Sequence, residues 1–152
     1  MELNLKAMTT ETRNTATMEL DRMTALEIVT AMNREDEKVP AAIRPALPQI
    51  AHCAEIAAET VRSGGRIVYM GAGTSGRLGV LDAVECPPTF GVLYGTVVGL
   101  VASGAAAFDK PIEDAEDRPE EGRKDLMSIG FRKGDYLIGI AASGRTPYVL
   151  GG

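Results

Sequence analysis

The stretch Arg66-Ile-Val-Tyr-Met-Gly-Ala-Gly-Thr-Ser-Gly-Arg77 decides the fold. Its apolar run, Ile67–Met70, reads as a short buried strand. The glycines and hydroxyls after it read as the turn into a helix over Ser75–Val84. There Leu78, Leu81 and Val84 fall on one face, and Pro87-Pro88 predict a stop. Downstream, Thr96–Ala102 and Asp135–Ala141 read as two further buried strands, and Glu120–Ile129 as a helix ended by Gly130. Pro111 interrupts any helix between 103 and 117. Strands alternating with helices imply βαβ units, hence an α/β fold in three αβα layers around a parallel sheet.

Upstream of the strand the pattern is helical. Leu26, Ile28, Val29 and Met32 share a face, and Thr24 with Glu27 fits a capping box. A second helix is expected from about Pro40 to Ser63, with Pro45 and Pro48 marking a kink or a later start and Ser63-Gly64-Gly65 the stop. Residues 1–8 read as a loose tail and Thr9–Thr17 as polar and aperiodic. These features divide the chain into an N-terminal arm and helix, 1–39, and an α/β domain, 40–152. Gly152 falls a few residues into the helix expected after the third strand. A three-stranded sheet ending there exposes an edge and an apolar face. A truncated domain is therefore expected, and a small domain that completes itself by oligomerising is the alternative.

Composition narrows the function classes. The 152 residues are 45% hydrophobic and 24% charged, enough for one domain with a core. The net charge of −5, with no basic run, argues against nucleic acid. No apolar run approaches the ~20 residues that span a bilayer, and Met1-Glu-Leu-Asn-Leu-Lys6 lacks the pattern of a signal peptide. Cys53 and Cys86 give no disulfide framework and point to a reducing cytoplasm. One histidine, His52, and two distant cysteines make no plausible metal site, and no Ser-His-Asp or Cys-His constellation can be assembled.

Gly71-Ala-Gly-Thr-Ser-Gly76 spells G-x-G-x-x-G. A dinucleotide would want a carboxylate after the second strand, where this chain has Val101-Ala-Ser-Gly104, and a Walker loop would want a lysine where Arg77 stands. Gly73, Thr74, Ser75 and Gly76 instead offer hydroxyls and free helix N–H groups suited to the phosphate monoester of a small molecule. A nucleotide phosphate and a purely structural turn remain alternatives. Ser143-Gly144-Arg145-Thr146 follows the third strand in the same way, so both loops lie at the carboxyl edge of the sheet, where ligands bind. Ser143 also reads as the N-cap of the next helix. Glu85 sits before two prolines that fix its backbone, and Glu116 lies in Ile112-Glu-Asp-Ala-Glu-Asp117. Each could be an ordinary solvated carboxylate. Two carboxylates beside a phosphate are otherwise costly unless they transfer protons.

Four motifs, in order along the chain, carry a resemblance: Thr10-Glu-Thr-Arg-Asn14, Gly71-Ala-Gly-Thr-Ser-Gly-Arg-Leu-Gly79, Glu85-Cys-Pro-Pro-Thr89 and Ile140-Ala-Ala-Ser-Gly-Arg-Thr-Pro-Tyr148. Together they resemble the N-terminal half of the N-acetylmuramic acid 6-phosphate etherases, whose members are about twice this length. The resemblance implies a sugar isomerase (SIS) fold and a cytoplasmic bacterial homodimer with sites near the subunit interface. It also implies a lyase that needs neither cofactor nor metal and cleaves the lactyl ether of an amino-sugar phosphate to N-acetylglucosamine 6-phosphate and D-lactate. On this reading Glu85 is the proton donor and Glu116 the second catalytic carboxylate. Thr74, Ser75, Ser143 and Thr146, with Gly73, Gly76, Gly144 and Arg145 in the same loops, hold the phosphate or nearby hydroxyls. The acidic motif is expected to carry glycine where this chain has Asp114. The alternative is a non-catalytic sugar-phosphate sensor of the glucokinase regulatory protein type, which shares the fold.

Overall fold

The computed structural model describes residues 12–152; the tail expected over 1–8 lies outside them. The chain divides into two compact units, with the boundary between Cys53 and Ala54.

In the first unit, the Asn14 side chain caps a 3-10 turn, Thr15–Thr17, within the stretch read as aperiodic. Helix α1, Ala25–Asp36, opens on the expected capping box. The Glu27 N–H donates to Thr24 Oγ1 at 3.4 Å, and the Thr24 N–H donates to Glu27 Oε2 at 2.7 Å. The single helix expected from Pro40 to Ser63 is instead three pieces: α2, Lys38–Ile43; a 3-10 turn, Arg44–Ala46; and α3, Leu47–Arg62, which crosses into the second unit. Pro45 and Pro48 explain the break, since neither can donate an interior helical bond. Pro48 is tolerated because it falls in the first turn of α3, where N–H groups have no partner anyway. Gly64, at φ +78°, ends α3 as its sequence predicts.

The second unit is the α/β layer structure. Strands β1 (Ile67–Gly71), β2 (Val97–Val101) and β3 (Tyr136–Ile140) form one parallel sheet in the order β2-β1-β3. Alternation along β1 fixes the layers. Val68 and Met70, both fully buried, face Leu126 of α6 (Pro119–Ser128) and Tyr148 of α7 (Pro147–Gly151). Tyr69 points to the opposite face, against Gly79 of α4 (Gly73–Phe90), which covers β1 and β2. The expected α/β class with three layers and a parallel sheet is present. A four-residue helix, α5 (Ala106–Asp109), precedes an irregular segment up to α6.

Two boundaries differ from expectation. Helix α4 starts at Gly73 rather than Ser75, and it runs through Pro87 and Pro88 to Phe90. The prolines cost it interior bonds, but the helix lasts one more turn and closes on Gly91. That residue adopts φ +69°, and its N–H donates to the Pro87 carbonyl at 2.9 Å. Among the described residues no helix is long and apolar enough to cross a membrane.

Candidate functional site

Strand β1 is central, and the chain leaves it toward β2 on one side and pairs it with β3 on the other. The carboxyl ends of β1 and β3 are thus a topological switch point, where open α/β sheets place their ligands. Both sequence-predicted loops emerge there, because Gly71 is in register with Ile140.

The first loop is shaped by close approach. A Cβ on Gly71 would meet the Gly76 backbone nitrogen at 2.6 Å, and one on Gly76 would meet the Gly71 oxygen at 2.5 Å. The start of α4 therefore sits directly on the end of β1, and only glycine fits both positions. Gly73 turns the chain at φ +53°. The N-cap of this 18-residue helix is Ala72, which has no side-chain oxygen, so its first-turn N–H groups receive no side-chain cap. Such an end favours an anion, with Thr74 and Ser75 beside it.

A cavity of about 230 Å³ opens at this point. Ala72, Gly73 and Thr74 line it, together with Arg77, Ala102 and Ala107. The far wall is the segment Pro111–Glu116. Thr74 and Glu116, predicted separately, thus share one cavity. Arg77, Glu113 and Asp114 belong to it as well and were not singled out as site residues from the sequence. Ser75 lies one residue further into α4, and Gly76 is buried against Gly71 and Val101.

The acidic wall is irregular, yet it is pinned. The Tyr148 N–H donates to the Glu116 carbonyl at 2.9 Å, and the Tyr148 hydroxyl donates to Asp125 Oδ2 at 2.6 Å. Tyr148 is fully buried, and its burial and the neighbouring Asp125 carboxylate hold its phenol proton on well above the usual range. One residue therefore fastens Glu116 to the start of α7 and α7 to α6. Asp114 takes a left-handed backbone, φ +58°, the conformation that glycine would adopt at no cost.

Ser143, Gly144, Arg145 and Thr146 lie after β3, in the loop that leads into α7, and are not among the residues lining the cavity. Gly144 makes the turn at φ +67°. The N-cap of α7 is Thr146, not Ser143, and the cap carries no side-chain hydrogen bond. Glu85 is exposed on α4, twelve residues beyond Gly73. At ~1.5 Å rise per residue this puts it about 18 Å along the helix from its N-terminus. Among the described residues no cluster of three His, Cys, Asp or Glu side chains is arranged to hold a metal ion.

An N-acetylmuramic acid 6-phosphate etherase of Serratia proteamaculans is 55% identical over 149 residues, covering 98% of this chain and 50% of the relative. Etherases of Pectobacterium atrosepticum and Yersinia pestis are 54% and 53% identical, over 49% and 50% of their own lengths. The chain spans about half the length of the curated relatives it matches, and the sequence resemblance to the N-terminal half of that family stands. The family model described as the glucokinase regulatory protein N-terminal SIS domain matches residues 49–152, which include the whole sheet, both loops and both carboxylates. With most of the chain matched and its parallel sheet in place, this protein belongs to the family of the glucokinase regulatory protein N-terminal SIS domain.

Proposed function

We propose that this chain is the substrate-binding half of a cytoplasmic N-acetylmuramic acid 6-phosphate etherase. The observation that carries the reading is that an uncapped helix N-terminus with Thr74 and the residue Glu116 line one cavity at the switch point of the sheet. The phosphate binds to the first-turn N–H groups of α4, with Thr74, Ser75, Ser143 and Thr146 closing on it or on adjacent hydroxyls. In the open-chain sugar the C1 aldehyde acidifies the C2 proton, and a carboxylate removes it. The C3–O bond to the lactyl group then breaks, and a carboxylic acid protonates the departing oxygen. Water adds across the resulting C2–C3 double bond, its oxygen at C3, giving the amino-sugar 6-phosphate and D-lactate. Glu116 and Glu85 are the two carboxyl groups, with Glu85 as the donor.

Position supports a division of labour between chains. A sugar anchored by its phosphate at Gly73–Ser75 does not span the ~18 Å of helix to Glu85 of the same α4. In our reading Glu85 therefore serves the site of a second copy, and the active unit is a homodimer. The test is D-lactate release when the full-length gene product meets N-acetylmuramic acid 6-phosphate. Release that stops in Glu85→Gln while sugar-phosphate binding persists is expected. Tight binding with no lactate would instead favour a sugar-phosphate sensor, the second reading, which the family model's own description supports.

A further inference from the structure

Four charged residues line the cavity: Glu113, Asp114 and Glu116 on the irregular wall, and Arg77 on α4. Arg77 is the one cation among the described residues that line it. An arginine beside three acids ordinarily pairs with one of them. This one does not: its Nε donates to the Ala107 carbonyl at 2.8 Å, and no ion pair with the cavity's acids occurs among the described residues. The bond to Ala107 holds the guanidinium by its Nε. Its two Nη groups, the fork that meets a carboxylate side-on, take no protein partner among the described residues.

The substrate of the proposed reaction carries two anions. Its phosphate has the first turn of α4. Its lactyl carboxylate has to enter a cavity lined by three acidic residues, and it needs a cation there. Resting on the etherase reading, we infer that Arg77 binds the lactyl carboxylate of the substrate and thereby selects the ether-bearing sugar over the plain amino-sugar phosphate. The same contact holds the leaving group beside Glu116 while its C3–O bond breaks, and it has nothing to hold once D-lactate has gone.

The test compares substrate with product in the full-length gene product. Arg77→Met keeps the length of the side chain without its charge, and Arg77→Lys keeps the charge without the fork. For each variant, kcat/KM on N-acetylmuramic acid 6-phosphate and the inhibition constant of N-acetylglucosamine 6-phosphate, which lacks the lactyl group, are measured. Arg77→Met is expected to lose roughly 100-fold in kcat/KM and Arg77→Lys about 10-fold, with product inhibition changed less than about twofold in both. Unchanged product inhibition also shows that the loops are intact. An equal loss for substrate and product would move Arg77 to the phosphate and overturn the inference while leaving the etherase reading in place, and so would no loss for either. No D-lactate from the wild-type protein would overturn both.

Discussion

The two edges of the sheet are built on opposite rules. At the amino edge one ion pair is saturated by hydrogen bonds. Asp135, with its side chain fully buried, receives Arg66 Nη2 at 2.6 Å, Arg66 Nε at 3.1 Å, and the backbone N–H groups of Arg66 and Arg132. Arg66 also donates to the carbonyls of Ile129 and Gly130, so one ion pair joins the starts of β1 and β3 to the end of α6. At the carboxyl edge the reverse holds. Neither α4 nor α7 has a side-chain N-cap, and the only non-glycine residues with left-handed backbone among those described, Ser103 and Asp114, both lie there. Stability is concentrated at one edge, and unmet binding capacity at the other.

Substitutions can break this contrast. The largest effect expected is at the carboxyl edge: Glu116→Gln should lower kcat by about 10²–10⁴-fold, the range for loss of a positioned acid or base, with little change in the urea midpoint. A shifted midpoint at unchanged kcat would reverse the assignment of the two edges. At the amino edge Asp135→Asn should do the opposite, destabilising by about 2–4 kcal/mol in urea because the Arg66 guanidinium loses its charged partner, while the protein that stays folded keeps its KM.

The same ion pair sets a pH dependence. The Arg66 hydrogen bonds hold the Asp135 carboxyl at about 2, below its ordinary 3.8. A depressed carboxylate contributes stability above the unfolded value and loses it as pH falls through the folded one. The loss from this group should therefore run from about pH 4 down to about pH 2, and it should vanish in Asp135→Asn. Between the edges, Tyr148→Phe removes the bond to Asp125 and leaves that carboxylate short of a donor. About 1–2 kcal/mol of stability should go, while kcat holds, because phenylalanine keeps the backbone N–H that pins Glu116. The smallest effect is at Asp114. Asp114→Gly should stabilise the protein by up to about 1 kcal/mol, because glycine adopts φ +58° without steric cost; a thermal melt with no gain would show that the aspartate is unstrained there.

How legible each part was follows from how local its cause is. Strand β1 and the start of α4 could be read directly, because β-branched and apolar residues end at glycines that only a close strand–helix turn requires. The capping box of α1 is equally local. The end of α4 is not legible locally, since Pro87-Pro88 signal a stop in isolation whereas Gly91 supplies the cap that lets the helix outlast them. The cavity was half legible. Thr74 is legible as a hydroxyl in the glycine turn, and Glu116 only through the acidic motif of the family this chain resembles. In the sequence Arg77 stands only where a Walker loop needs lysine, and Glu113 and Asp114 are only members of an acidic run. Their convergence depends on the Tyr148 contact with Glu116, across 32 positions of sequence, and no periodicity reports a contact of that kind.

The contrast between edges can be tested in one experiment, by following backbone amide resonances of the full-length gene product during titration with N-acetylglucosamine 6-phosphate and, separately, with N-acetylglucosamine. The phosphorylated sugar should shift Gly73, Thr74, Ser75 and residues 143–146 while Arg66 and Asp135 stay still, and the unphosphorylated sugar should shift none of them at the same concentration. Equal responses to the two sugars, or shifts centred on Arg66 and Asp135, would contradict a phosphate site at the carboxyl edge.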